Sequence, residues 1–341
     1  MKHVKIKMNN HTFLLLITVL LFIAMYLSGI LLFGDKNFGR IQVFFNLFIS
    51  NAGLIVVATG MTMVLITAGI DISVGSVVAM TCMLLAWMME HKSVSAISAL
   101  IIVLIVGTAF GFVQGWLISY LNLQPFIITL AGMFFARGMT AVISTEMISI
   151  KNEMFLSWAN AKFYLPFGGY ENKRGDIIFP YIYPSVVLAL LVLAAAFILL
   201  KYTKFGRSIY AIGGNEQSAL LMGLNVRRTK LLTYVINGFL AAFGGFLFAL
   251  NTCAGFVEQA KGFEMEAIAS AVIGGTLLTG GVGNVIGSLF GVLIKGTIES
   301  LINFQGTLSS WWTKITIGAL LSFFIILQSI LAARKQRRRA V

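Results

Sequence analysis

Apolar residues in this chain fall in long unbroken runs. They show neither the spacing of a half-buried helix nor the alternation of a strand. Ten runs can be marked, at 13–33, 43–66, 75–90, 94–119, 125–144, 182–201, 231–252, 266–283, 285–302 and 314–333. Roughly 20 apolar residues, at about 1.5 Å each, cross a hydrocarbon core of about 30 Å. Each run therefore predicts a membrane-crossing helix. The run at 266–283 is the weakest because it is rich in glycine, and the plausible count extends from eight to eleven. A transmembrane barrel would show segments of about ten residues alternating in polarity, and the sequence has none. The expected fold class is an all-α polytopic membrane protein with about ten transmembrane helices, some broken or glycine-rich. With no Pro/Ser-rich linker and no low-complexity tract, residues 1–341 are expected to form a single domain.

Composition supports this pattern. Of 341 residues, 58% are hydrophobic and only 11% charged, where a soluble domain carries about a quarter. The net charge of +13 is not a nucleic-acid signature, because the basic residues sit at the ends and between runs. There they report orientation, since Lys and Arg mark the cytoplasmic side of a membrane. Lys2, Lys5 and Lys7 precede the first run, and Arg334, Lys335, Arg337, Arg338 and Arg339 follow the last. Both termini are thus expected inside, which requires an even number of crossings. Ten crossings also put the basic connection 203–230 (Lys204, Arg207, Arg227, Arg228, Lys230) inside and the charge-balanced connection 145–181 outside. The first run, 13–33, is longer than the 7–15 residues of a signal-peptide core, so a retained span is expected.

Candidate chemistry is sparse. Cys82 and Cys253 lie in apolar surroundings, and His3, His11 and His91 are scattered, so no metal site and no disulfide framework is expected. No grouping of Ser/His/Asp or Cys/His suggests an enzyme, and no G-x-x-x-x-G-K-[ST] phosphate loop occurs. The polar interruptions are more informative. After Gly213 and Gly214, residues 215–223 read as a short helix, with Asn215 as N-cap, Glu216 in the first turn and Gly223 as a left-handed stop. Such a helix either ties two spans together or docks on another protein. Asp71 is the only acidic residue between Asp35 and Glu90, and it stands at a break in the apolar pattern. Asp71 and Ser73 either cap the following helix or belong to a broken element lining a transport pathway. Arg137 sits inside an apolar run, where a charge is costly. It faces either a polar pathway or the carbonyls of a neighbouring helix. Lys295 and Glu299, one turn apart, are read as a pair, Glu264 and Glu266 as first-turn charges, and Trp311 and Trp312 as interfacial anchors. The stretch Thr67–Ser76 also echoes Thr279–Ser288.

The run FGRSIYAIGGNEQSALLMGLNVRR resembles the cytoplasmic coupling segment of the ribose-type permeases of bacterial ABC sugar importers. The likeness continues through GMTMVLITAGIDISVGSVVAM, QPFIITLAGMFFARGMT and EMEAIASAVIGGTLLTGGVGNVIGSLFGVLIKG, and so covers nearly the whole chain. Within that family, FIITLAGMFFARG and INFQGTLSSWWTKI are similar to permeases of galactofuranose importers. The resemblance implies a non-catalytic permease subunit of the bacterial inner membrane, with no cofactor of its own. Its implied partners are a cytoplasmic ABC ATPase that binds the ATP, a second permease (a paralogue), and an external sugar-binding protein. It also assigns Gly213, Gly214, Asn215, Glu216, Ala219 and Gly223 to ATPase coupling. Asp71, Ser73 and Arg137 are the pathway candidates. The competing class is a self-sufficient secondary carrier driven by an ion gradient. Such carriers bury acidic residues for coupling, and here only Asp71 and Glu299 qualify, both near run ends.

Overall fold

The computed structural model describes residues 10–171, 176–309 and 311–337. Lys2, Lys5, Lys7, Lys173, Arg174, Arg338 and Arg339 lie outside the described residues, as do the side chains of Arg334, Lys335 and Arg337. The described chain is an all-α polytopic membrane protein. In order, it forms α1 (Asn10–Leu32), α2 (Ile41–Ile66), α3 (Val74–His91), α4 (Ala96–Tyr120), α5 (Pro125–Ile143), α6 (Glu153–Asn160) and α7 (Pro184–Tyr202). These are followed by α8 (Lys204–Gly214), α9 (Glu216–Leu221), α10 (Val226–Thr252), α11 (Phe263–Ile273), α12 (Val285–Gln305) and α13 (Trp311–Arg337). Among the described residues, nine of these helices are long and apolar enough to cross a membrane.

Local chemistry explains several boundaries. Pro125 and Pro184 open α5 and α7, where a missing N–H costs nothing. The Ser95 hydroxyl accepts from Ser98 N–H at the start of α4. Gly306, with φ +80°, ends α12 in the left-handed region.

The core is built on α2 and α10, both largely buried and packed against α3, α4 and α12. Gly107, Gly111 and Gly115 form one stripe of α4, and Gly238 faces Gly107 and Gly111 from α10. Backbones approach here with no side chain between them, as small-residue helix pairs in membranes do. Leu20, Phe134, Leu191 and Ile326 point outward from α1, α5, α7 and α13 as an apolar belt.

Two faces can be told apart by their contacts. On one, which carries α6, Ile148–Ser149 pairs antiparallel with Ala254–Gly255, and the N–H groups of Lys151 and Asn152 donate to the Glu90 carboxylate at 2.7 and 3.1 Å. On the other, which carries α8 and α9, Gly281 N–H donates to Ile66 O at 2.8 Å, and the Tyr210 hydroxyl donates to Gly283 O at 2.8 Å.

The expected helix over 266–283 requires correction. Helix α11 has 11 residues, about 16 Å at 1.5 Å per residue and so about half a bilayer core. Gly275, at φ +92°, stops it: Thr276 N–H bonds Ala271 O and Gly275 N–H bonds Val272 O, the paired bonds of a left-handed helix stop. The chain nevertheless still crosses. It leaves the α6 face at Ala254–Gly255 and reaches the α9 face by Gly281, as an irregular stretch followed by a half-helix. Non-helical backbone at membrane depth is tolerated when protein surrounds it.

Candidate functional site

The α9 face has the local structure its residues dictate. The Asn215 side chain accepts from Ser218 N–H at 2.7 Å. At the far end Gly223 takes φ +79°, with Leu224 N–H bonded to Ala219 O and Gly223 N–H to Leu220 O. Lys230 of α10 reaches back to Glu216 at 2.6 Å and ties the start of α9 to the next span.

The residues that the resemblance assigns to coupling do not all face outward. Ala219 is 0% exposed and packs with Ile212 and Val226. Its methyl therefore faces the fold and is not presented to a partner. Gly213 is buried too, against the backbone at Ile66 and Gly281. Gly214, Asn215, Glu216 and Gly223 are exposed. The apolar surface belongs instead to Leu220, Leu221 and Met222, at 63%, 88% and 68% exposure. Leu220 also borders a cleft of about 830 Å³ between α9, the end of α4 and the start of α10, lined by Asn122, Gln217 and Arg227 among others. Exposed Arg207, Arg227 and Arg228 make this face basic.

Asp71 and Ser73 sit together in the α2–α3 break, both buried. The Asp71 carboxylate accepts from Ser73 N–H at 2.9 Å, from the Ser73 hydroxyl at 2.6 Å and from the Asn237 amide of α10 at 2.7 Å. The Gln114 amide of α4 donates to the Ser73 hydroxyl at 3.1 Å, and the Tyr234 hydroxyl donates to Ile70 O at 3.1 Å. Asn237 lies 11 residues into α10, about 17 Å from its start, so the network is well inside the helical layer. Both oxygens of Asp71 are engaged, while among the described residues the buried Asn237 Oδ1 has no partner; the network ties the break to α4 and α10.

Arg137 lies apart from that network. Its guanidinium donates to Val257 O at 2.6 Å and Gln259 O at 2.7 Å, clamping the irregular stretch ahead of α11. Its nearest opposing charges are Glu264 and Glu258. Glu264 reaches the start of α3 beside Gly75, and among the described residues one of its buried oxygens has no partner. Lys295 pairs with Glu299 at 2.6 Å, as its spacing suggests, and also with Glu266 at 3.3 Å and Asn51 at 3.2 Å. Glu266 is thus part of an ionic bridge between α11 and α12, not only a first-turn charge.

Sequence reasoning that weighed only charged residues missed Gln114, Asn237 and Asn51. Each is an isolated amide inside an apolar run, which is itself a signal of an interior-facing polar contact. The two similar stretches meet in space. Ala68 and Gly280, at matching positions, both adopt left-handed backbone and touch each other.

Residues 43–325 match the family described as branched-chain amino acid transport system / permease component. The chain is 43% identical over 326 residues to the inner membrane ABC transporter permease protein YjfF of Escherichia coli K12, covering 96% of this chain and 95% of that protein. It is 36% identical over 329 residues to the fructose import permease protein FruG of Bifidobacterium longum, covering 96% and 94%. It is 34% identical over 304 residues to the ribose import permease protein RbsC of Escherichia coli K12, covering 89% of each. No solved structure matches the chain significantly.

Proposed function

The chain belongs to the family of transport-system permease components, and on that premise we propose that it is the membrane permease subunit of an ATP-driven importer of a simple sugar. The observation that carries this reading is the apolar ledge Leu220–Met222. It stands exposed on a basic, cleft-bearing face of a chain without a phosphate loop of its own. A cytoplasmic ATPase that binds ATP in its own chain would seat on this ledge, so the permease needs no cofactor. Basic loop charge puts the α9 face, with both termini, in the cytoplasm. The charge-balanced α6 face would receive sugar from an external binding protein. Half-buried Arg137 meets the stretch ahead of α11 near Glu264, and half-buried Glu266 and Glu299 share Lys295 between α11 and α12. Charges at that depth call for a water-filled path or a partner chain rather than lipid. A second, paralogous permease beside them would complete the path, with Arg137 at its wall. The names of the relatives support a sugar cargo, and the stretches at 126–138 and 302–315 favour galactofuranose.

Uptake of radiolabelled galactofuranose, ribose, fructose and galactose by cells with and without the gene tests this. The expected result is gene-dependent galactofuranose uptake that stops when ATP is depleted and needs the ATPase gene. Uptake that survives ATP depletion but collapses with the ion gradient would make the chain a secondary carrier. Gene-dependent uptake of another sugar alone would refute the galactofuranose assignment while leaving the importer intact.

A further inference from the structure

Three backbone segments meet at one point beneath α9. Ile66 O, at the end of α2, accepts from Gly281 N–H at 2.8 Å. Gly213, in the last turn of α8, lies against both atoms, and a methyl placed on it would collide with each. One turn earlier in α8, the Tyr210 hydroxyl holds Gly283 O at 2.8 Å. The same α8 turn therefore touches residues 274–284, which join α11 to α12, and Ile66, the residue from which the break 67–73 leads into α3. The breaks also touch each other through Ala68 and Gly280.

Helix α8 is joined to α9 as one unit. Asn215 is the only residue between them, and Ile212 of α8 shares a small apolar core with Ala219 of α9 and Val226 of α10. A displacement of α9 therefore carries α8 with it. At Gly213 no side chain intervenes to absorb that displacement, and close-packed backbone transmits it instead. The breaks are the elements able to respond, since neither is held by a helical hydrogen-bond ladder. Movement of 67–73 would shift the Asp71–Asn237–Ser73 network at the start of α3. Movement of 274–284 would tilt the half-helix α11, which carries Glu264 and Glu266.

We propose that Gly213 and Tyr210 are positioning residues for transport, forming the junction through which motion of α9 reaches both broken elements at once. This rests on the reading that an ATPase seats on α9. The test uses the complex of this chain with its ATPase and second permease, reconstituted in liposomes. ATP hydrolysis and sugar uptake are measured in the same vesicles. In complexes that assemble, Gly213→Ala is expected to lower sugar carried per ATP hydrolysed by about tenfold, the scale of ordinary coupling between sites. Tyr210→Phe removes only the hydroxyl bond to Gly283. It should lower the same ratio severalfold in a complex that still assembles. Gly318→Ala, where an added methyl meets nothing, serves as the control and should match wild type. If Gly213→Ala does not assemble, Tyr210→Phe decides alone. A wild-type ratio of uptake to hydrolysis in Tyr210→Phe, or in an assembled Gly213→Ala complex, overturns the junction. A wild-type chain that never retains an ATPase would instead overturn the docking reading, and the junction with it.

Discussion

Arg137 shows how much a single side chain's meaning depends on what surrounds it. From sequence it is a costly charge in an apolar run, compatible with a pathway wall or a structural bond. In the fold it makes two short bonds to Val257 and Gln259 carbonyls that no helix ladder serves. Removing it leaves both carbonyls, at membrane depth, without their donor. Arg137→Ala is expected to lower the stability of the purified protein by about 1–3 kcal/mol, toward the smaller value because the group is half exposed. A thermal melt in detergent, with membrane abundance measured alongside, checks this. Lost uptake at wild-type melting temperature and abundance would mean that Arg137 acts on the sugar directly.

Helix α9 is the element that the chain spells out most completely. Its cap, first-turn acid and left-handed stop are all local, because each needs only a neighbour within a few residues. Its outward face is not local. Six residues make less than two turns, too short for a periodicity to show which side packs. Only the neighbouring Ile212 and Val226 decide that Ala219 turns in and Leu221 turns out. The mutational expectations therefore separate. Ala219→Trp has no room inside the small core and should reduce membrane abundance. Leu221→Asp changes an exposed position, so insertion should stay normal while ATPase recovered by co-purification falls about tenfold, as for a hot spot of an interface. Equal ATPase recovery in Leu221→Asp and wild type would show that the ledge is not the docking surface.

For the whole molecule, the question is which face lies in the cytoplasm. Among the described residues, nine long helices plus one irregular crossing separate an α6 face from an α9 face. Exposed Gln217 and Met147 mark the two sides. With Cys82 and Cys253 replaced, Gln217→Cys should resist a membrane-impermeant thiol reagent in intact cells and react in inverted vesicles. Met147→Cys should do the reverse. Labelling of position 217 from outside would invert the topology and remove the basis for an ATPase at α9.

What the chain determines alone is whatever short range or bulk solvation controls. Long apolar runs can be stable only as helices in lipid, where backbone groups must be bonded internally. Caps and stops at Asn215 and Gly223 follow from adjacent atoms. The family likeness was also legible, because it lies in contiguous stretches. Tertiary structure decided the rest. Glycine content at 274–283 showed a weak span, but that α11 ends at Ile273 depends on Gly275 turning left-handed beside Leu14 of α1, whose neighbour Thr18 donates to Ile273 O. The bonds of Asp71 to Asn237, of Arg137 to Val257 and Gln259 and of Lys295 to Asn51 join positions 120 to 244 residues apart. Separations of that size leave no periodic trace in a single sequence, since only the packing of α2, α4, α10 and α12 brings those side chains within bonding distance.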